Sequence, residues 1–368
     1  MSPPSRRPRP RKDRFRILSV DGGGIRGLIP ARVLVELERR VREESGEELA
    51  LSDCFHLFAG TSTGGLIALG LTVPNRKRPP RPRLTAEDLV RLYRDEGPRI
   101  FARSVWQRIR TLGGWVGPKY SIDALKQVTE ERFGDARLRR ALRELVVTSY
   151  DMRNREPHFF KRWRAAQSAD RNPTMVEAAL ATSAAPTYFP SVALGDRALV
   201  DGGVFAANPT VAAVAEALKR ESAAPSQLTS RDLLVVSLGT GMRETGFEQR
   251  HVSRWGKVGW IKPRGGELPL LGAMLDGQSD AADHWAHMIL NHEPGDPFPR
   301  PDEIGVSGPR YFRLQRRLPE SLEMDDASPR AIAAMEAVAA ELISDRDAQL
   351  TEIARRLARA GPIPRDPA

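Results

Sequence analysis

A serine flanked by glycines, between a strand-like run and a helix-like run, constrains this chain more than any other feature. Residues 55–70 read FHLFAGTSTGGLIALG. The first five residues predict a buried strand, and the last five predict a helix. The turn between them, Gly60 to Gly64, matches G-x-S-x-G, which needs flanking residues without a Cβ so that the two backbone segments can pass closely. We therefore expect the hydroxyl of Ser62 at the end of a strand, beside the free N–H groups that begin a helix.

Length and composition indicate a globular α/β protein rather than a membrane-spanning or disulfide-linked one. The 368 residues are 40% apolar and 28% charged, with Cys54 as the only cysteine. A single cysteine excludes an internal disulfide framework and fits a reducing compartment, so we expect a cytoplasmic protein. The sequence has no apolar run of about 18 residues that would predict a membrane span. It also has no spacing of histidines and cysteines that would predict a metal, and we expect no cofactor.

The net charge of +10 lies in two proline-rich segments. Residues 1–14 and residues 75–84 each carry an excess of five positive charges, which together equal that of the whole chain. Such segments are usually solvated tails and loops, and we expect residues 1–14 to be disordered. A functional alternative is loose attraction to anionic lipid headgroups. Nucleic acid is not an expected partner, because the excess charge is not on a folded face.

The order of elements predicts an open, mostly parallel sheet flanked by helices. Apolar strand-like runs alternate with amphipathic helices, and glycine turns follow several strands. A mainly helical stretch near residues 85–140 looks like an insertion that could cover a pocket. We divide the chain into the tail, a catalytic domain over residues 15–245, and a mainly helical part over residues 246–368 packed on the same domain.

A serine nucleophile needs a base, and the sequence offers two kinds of candidate. The first kind is a histidine, but none of the six follows a late strand as a Ser-acid-His order would require; they are His56, His158, His251, His284, His287 and His292. The second is Asp201, which ends the predicted strand 197–200 and precedes two glycines. In isolation, Asp201 could equally be a turn aspartate.

A second glycine turn, residues 21–27, follows the predicted first strand and reads DGGGIRG. Gly22, Gly23 and Gly24 can present backbone N–H groups to a developing oxyanion, and Arg26 adds a cation that would suit a phosphate headgroup. The same residues also match the dinucleotide-binding pattern G-x-G-x-x-G. That alternative is weaker, because the second predicted strand ends in the serine turn and not in an acidic residue.

Three motifs in this order resemble the patatin-like phospholipase family: DGGGIRG at 21–27, GTSTG at 60–64 and DGG at 201–203. The likeness extends to AAPTYFP at 184–190 and SLGTG at 237–241, and covers roughly residues 15–240. The resemblance implies a three-layer α/β fold and a serine–aspartate pair without histidine. It implies Ser62 as the nucleophile, Asp201 as the base, and Gly22 to Gly24 with Arg26 and the Thr63 amide as the oxyanion hole.

The activity implied by this resemblance is hydrolysis of fatty-acyl esters of phospholipids or lysophospholipids, on a membrane surface and without a metal. Chains of this kind also resemble effector phospholipases of antiphage defence, so activation by a cyclic nucleotide is one alternative. A non-catalytic lipid-binding protein of the same fold is another. The sequence leaves acyl preference open, and it is compatible with an oligomer.

Overall fold

Ten strands carry the described part of the fold, and eight of them form one sheet. The computed structural model describes residues 13–102, 117–221, 228–243, 246–262, 268–292, 310–318 and 322–364. The strands are β1 Phe15–Val20, β2 Leu57–Thr61, β3 Glu144–Asp151, β4 Glu156–Lys161, β5 Val192–Leu194, β6 Arg197–Asp201, β7 Leu233–Leu238, β8 Met242–Arg243, β9 Tyr311–Leu314 and β10 Arg317–Leu318.

Helices connect these strands and cover both faces of the sheet. In chain order they are α1 Leu28–Ser45, α2 Leu51–Cys54, α3 Thr63–Thr72, α4 Ala86–Arg91, α5 Gly97–Ile100, α6 Asp123–Phe133, α7 Arg162–Gln167, α8 Met175–Ser183, α9 Gly203–Ala206, α10 Thr210–Glu221, α11 Gln249–Val252, α12 Lys257–Ile261, α13 Pro269–Leu290, α14 Pro329–Asp345 and α15 Asp347–Ala360. A π-helical turn, Leu92–Glu96, joins α4 to α5, and short 3-10 turns include Gly24–Gly27.

The sheet is mostly parallel, as predicted. Its strand order is β5-β6-β3-β2-β1-β7-β9, with β4 pairing off this path with β3. The pairs β3–β2, β2–β1, β1–β7 and β7–β9 are parallel, whereas β4, β5 and β6 pair in antiparallel fashion. The edge strand β9 comes from the C-terminal part of the chain, which therefore completes the sheet as well as covering it.

Strand β3 brings the two motif strands end to end. β4 pairs along one side of β3 from Val146 onward, so β2 and β6 share the other side. β2 runs parallel to β3 until Thr61 faces Thr148, and β6 runs antiparallel until Asp201 faces the next residue, Ser149. Because β2 and β6 run toward each other, their C-terminal ends meet. The DGG turn at the end of β6 therefore reaches Ser62 from the direction opposite to that of β2.

Alternating apolar residues give the sheet a hydrophobic core on each face. On β1, Leu18 and Val20 pack with α1, α3, α8, α14 and α15, while Phe15 and Ile17 pack on the opposite face with α10 and α13. Alternation of this kind on a sheet covered from both sides is typical of three-layer α/β proteins. The predicted three-layer fold is confirmed.

The described parts of the predicted insertion are helical. Residues 86–100 and 123–133 form α4, the π-helical turn, α5 and α6, while residues 103–116 lie outside the described residues. Most of the predicted tail, residues 1–12, also lies outside them. Its last two residues are paired: Asp13 with Arg356, and Arg14 with Asp232 at 3.4 Å. No helix among the described residues has the length and apolar character needed to span a bilayer.

Candidate active site

Ser62 lies in a strained turn between β2 and α3. Its φ of 55° and ψ of −122° are rare for a residue with a side chain, and such strain concentrates at functional sites. The turn requires glycine on both sides: a Cβ on Gly64 would lie 2.0 Å from the Val20 carbonyl oxygen, and one on Gly60 would lie 2.1 Å from the Gly64 oxygen. The Ser62 N–H donates to Thr182 Oγ1 at 2.9 Å, which fixes the turn from α8.

Asp201 is buried and lines the same cavity as Ser62, whose side chain is near enough to influence the pKa of its carboxyl group. Its Oδ1 also accepts from the Gly203 N–H at 2.7 Å, and its own N–H donates to Ala184 O at 3.0 Å. Burial raises the pKa of this carboxyl group to about 7, although the interaction with the Ser62 side chain and the hydrogen bond from the Gly203 N–H work in the other direction. A carboxylate with a pKa near neutrality is suited to act as a general base.

The glycine loop after β1 lies beside Ser62, but its three N–H groups are not equivalent. Gly22 donates its N–H to Ala207 O at 2.9 Å, so this group serves to hold the loop. Gly23 and Gly24 have no acceptor for their N–H groups among the described residues, and both line the same cavity as Ser62. Gly24 has a φ of +59°, and a Cβ there would lie 2.0 Å from Met324 O. The candidate oxyanion donors in the loop are therefore Gly23 and Gly24.

Arg26 and Thr63 border the same space in different ways. The Arg26 guanidinium is buried, and its Nε donates to Gly23 O at 3.4 Å, so the cation contacts the loop itself. Thr63 is the first residue of α3, where a backbone N–H group has no acceptor within the helix. The Thr63 hydroxyl donates to the Tyr93 hydroxyl at 2.6 Å, which ties the helix start to the insertion.

A cavity of about 130 Å³ opens onto Ser62, and apolar side chains form most of its wall. The polar end contains Ser62, Asp201 and the glycine loop. The apolar wall includes Leu66 of α3 and residues of the insertion, so the insertion covers the pocket as the sequence suggested. The insertion residues that line the cavity are Leu92, Tyr93, Gly97, Ile100, Phe101 and Leu125. The cavity has the composition of a site for an apolar chain attached to a polar group.

None of the six histidines lines this cavity, although all six lie in the described ranges. His56 accepts the Arg16 N–H at 3.0 Å, and burial lowers its pKa to about 3. Burial also lowers the pKa of His158, on β4, to about 4. Within the described residues, no group of three or more His, Cys, Asp or Glu side chains is placed to hold a metal ion.

Sequence reasoning missed three hydroxyl groups around the site. Thr182 supports the serine turn, and Thr240 Oγ1 donates to Gly22 O at 2.6 Å, which fixes the glycine loop. Ser183 lines the cavity, and its buried hydroxyl has no hydrogen-bond partner among the described residues. Thr240 lies in the segment SLGTG, which is part of the family resemblance but had no predicted role.

A serine on a strand–turn–helix elbow in a three-layer α/β protein is the framework of an acyl hydrolase. Comparison with known families identifies the kind of acyl hydrolase. Residues 18–214, just over half of the chain, match the family model of patatin-like phospholipase, and the chain belongs to this family. Membership supports lipid acyl hydrolysis as the general class of activity.

Individual plant proteins are similar over most of their length. Patatin-like protein 2 of Arabidopsis thaliana is 34% identical over 73% of this chain and 70% of its own. Patatin-like protein 1 of Oryza sativa subsp. indica is 34% identical over 77% and 73%, respectively. A potato protein (Solanum tuberosum) named probable inactive patatin-3-Kuras 1 is 32% identical over 67% and 68%. Because that name describes an inactive protein, similarity alone does not establish turnover.

Proposed function

We propose that this chain is a lipid acyl hydrolase that cleaves fatty-acyl esters of phospholipids and lysophospholipids through Ser62 and Asp201. The observation that carries the proposal is the position of Ser62 beside the buried carboxyl group of Asp201, at the meeting point of β2 and β6 in the wall of one cavity. The apolar cavity beside Ser62 suits a fatty-acyl chain, and Arg26 at its wall suits a substrate that carries a phosphate.

The first half of the proposed reaction forms an acyl-enzyme. Asp201 removes the proton of the Ser62 hydroxyl while Oγ attacks the ester carbonyl carbon. The carbonyl oxygen becomes an oxyanion, which accepts hydrogen bonds from the N–H groups of Gly23, Gly24 and Thr63. As the intermediate collapses, the ester C–O bond breaks, and the protonated Asp201 gives its proton to the leaving alcohol oxygen. The products of this half are an acyl-serine and the free alcohol or lysolipid.

The second half restores the serine by hydrolysis. Asp201 removes a proton from a water molecule, and the resulting hydroxide attacks the acyl carbon with the same oxyanion donors in place. The acyl–Ser62 bond breaks, Ser62 Oγ recovers the proton from Asp201, and the fatty acid leaves. A carboxyl with a pKa of about 7 can accept and return a proton near neutral pH, which both halves require.

The test compares purified wild type with Ser62→Ala on phosphatidylcholine and its lysolipid, with fatty-acid release measured by mass spectrometry. Ser62→Ala should release none and keep the wild-type circular dichroism. Ser45→Ala, at the end of α1, is the matched control and should behave as wild type. Labelling with a fluorophosphonate probe should occur in wild type and the control only. Unchanged release by Ser62→Ala would contradict the proposal.

The same measurements separate the alternatives. A non-catalytic lipid-binding protein would bind lipid but release no fatty acid and take no fluorophosphonate label. Activation by a cyclic nucleotide remains a prediction from the sequence resemblance, and repeating the release assay with a panel of cyclic dinucleotides tests it. An increase with any member would support the antiphage effector alternative, and no increase with any member would remove it.

A further inference from the structure

Exposed apolar side chains are concentrated in one segment of the chain. Of the eight large hydrophobic residues exposed among the described residues, seven lie between residues 247 and 289. They are Phe247, Val258, Ile261, Leu270, Met274, Trp285 and Ile289. Scattered single apolar side chains on a surface are ordinary, but a cluster on adjacent elements marks an interaction surface. Phe247 precedes α11, and the other six lie on α12 and α13, which pack against each other.

Aromatic packing gives this segment a defined shape. The rings of Phe247 and Trp255 meet edge to face with centroids 4.8 Å apart, and Trp255 meets Trp260 in the same way at 5.3 Å. Gly259 lies against Trp255, where a Cβ would approach within 2.7 Å. The aromatic group thus holds α12 in place while Val258, 65% exposed, points outward. Tryptophan and phenylalanine beside exposed aliphatic side chains are characteristic of segments that lie in a bilayer interface.

The charged side chains of this segment indicate what kind of partner the surface binds. Residues 246–262 carry four exposed cations, Arg250, Arg254, Lys257 and Lys262, and one acid, Glu248, which pairs with Arg250. A second copy of the same surface across a two-fold axis would bring these cations together, which is unfavourable. Anionic phospholipid headgroups attract them. We define the docking surface as the exposed side chains of residues 247–262 together with Leu270 and Met274.

The docking surface is continuous with the cavity wall through α13. Leu271 and Leu275 of this helix line the cavity, whereas Leu270 and Met274, one position before each, are exposed. One face of α13 therefore belongs to the outer surface, and another face of the same turns lines the pocket that contains Ser62. A bilayer in contact with Leu270 and Met274 would therefore lie against the same helix whose other face lines the cavity.

We propose that the docking surface binds anionic phospholipid bilayers and delivers lipid from them to the cavity beside α13. The aliphatic side chains of α12 and α13 enter the interface, the aromatic group supports them, and the four cations contact the headgroups. The delivery step rests on the proposed acyl hydrolase function, whereas the binding step does not.

Binding is tested with Ser62→Ala protein, which cannot degrade the membrane. Flotation should carry this protein with vesicles of phosphatidylcholine mixed with phosphatidylglycerol, and much less with vesicles of phosphatidylcholine alone. Adding Val258→Glu and Ile261→Glu should weaken binding by at least about tenfold. Met152→Glu, at the one of the eight exposed large hydrophobic residues that lies outside residues 247–289, is the matched control and should bind as before.

The contribution of charge is tested separately. Arg254→Glu and Lys257→Glu together should weaken binding to the anionic vesicles by about fivefold or more. Arg330→Glu, at an exposed arginine near the start of α14, is the matched control for a reversed charge and should have little effect. Equal binding by the Val258→Glu/Ile261→Glu variant and its control would overturn the proposal, as would equal flotation with both kinds of vesicle.

An activity measurement keeps the two proposals distinguishable. With Ser62 intact, Val258→Glu/Ile261→Glu should lose hydrolysis of vesicle lipid but keep hydrolysis of a soluble short-chain ester, because neither residue lines the cavity. If wild type hydrolyses neither substrate while Ser62→Ala still floats with anionic vesicles, the proposed function fails and docking stands. If the variant instead converts a dimer to a monomer without changing flotation, the surface belongs to a second copy and docking fails.

Discussion

Arg313 binds the carboxylate of Asp21 through both terminal nitrogens, at 2.6 and 3.0 Å, with both side chains buried. Asp21 immediately precedes the glycine loop, and Arg313 lies 292 residues further along the chain, in the edge strand β9. The same guanidinium also donates to Ser237 at 2.9 Å and to Ser279 at 3.3 Å. A residue outside the region matched by the family model therefore holds the base of the loop that faces Ser62.

This relationship predicts a large effect on stability. Arg313→Met leaves the Asp21 carboxylate buried without its cation, and we expect the free energy of unfolding to fall by about 3–5 kcal/mol. Adding Asp21→Asn removes the unpaired charge, so the double variant should be more stable than Arg313→Met alone. Urea denaturation followed by circular dichroism measures both.

The matched control for Arg313 is an arginine in a more exposed ion pair. Arg316 pairs with Glu341 and Asp345 at the surface, and Arg316→Met should cost no more than about 1 kcal/mol. Equal losses for the two single variants would show that the buried pair with Asp21 has no special role.

The serine turn could be predicted from the sequence because its cause is local. Two glycines around Ser62, an apolar run before them and an apolar run after them specify strand, turn and helix within a few residues. The apolar runs at residues 15–20 and 311–314 predict strands for the same reason, and β1 and β9 have these bounds. Periodicity alone was less reliable at helix ends: α1 continues to Ser45, four residues beyond the last apolar position, because charged residues extend its exposed face. The pattern over residues 328–357 predicts one amphipathic helix, but the structure has two, α14 and α15, interrupted at Arg346.

The pairing around β3 could not be predicted, because it depends on contacts distant in sequence. Nothing within residues 197–201 shows that β6 runs antiparallel and meets β2 end to end. The prediction that Gly22 is an oxyanion donor was wrong for the same reason. Its N–H group donates to the carbonyl of Ala207, a contact distant in sequence. The role of Arg313 had one usable signal, a single arginine inside the otherwise apolar strand Tyr311–Leu314. A charged residue on a strand covered from both sides needs a buried partner.

Activity should depend on pH through Asp201. Because its pKa is raised to about 7, the base form predominates only above that pH, and kcat/KM should rise as pH increases through about 7. A profile measured on a soluble ester, which avoids changes in the membrane, checks this. A rising limb centred near 4, the ordinary value for aspartate, would contradict the raised pKa of Asp201.

The same shift predicts a pH dependence of stability. The folded state binds the Asp201 proton more tightly than the unfolded chain does, so burial of the ionised group becomes destabilising as pH rises from about 4 to about 7. Asp201→Asn has no charge to bury, and its melting temperature should exceed that of wild type at pH values above about 7. The difference should shrink as pH falls toward about 4. A constant difference across this window would contradict the raised pKa.

Arg26 should act on the loop as well as on the substrate. Its Nε contacts the Gly23 carbonyl, so Arg26→Met should displace the candidate oxyanion donors and lower kcat on a neutral ester by roughly 10–100-fold. If the cation also binds a lipid phosphate, the loss on phospholipid should be larger, with an added increase in KM. An unchanged kcat on the neutral ester would show that Arg26 does not position the loop.

Leu125 should limit the length of acyl chain that the cavity accepts. This buried side chain of α6 forms part of the apolar wall that the insertion contributes to the cavity. Leu125→Phe adds volume to that wall, at a cost in stability of about 1–3 kcal/mol, and it should lower kcat/KM for a hexadecanoyl ester while leaving a butanoyl ester almost unchanged. Leu89→Phe, at a buried leucine of α4 that does not line the cavity, is the matched control and should preserve the wild-type ratio between the two esters. The same fall on both esters for Leu125→Phe would mean that the acyl chain binds elsewhere, because a wall residue can discriminate only between chains that reach it.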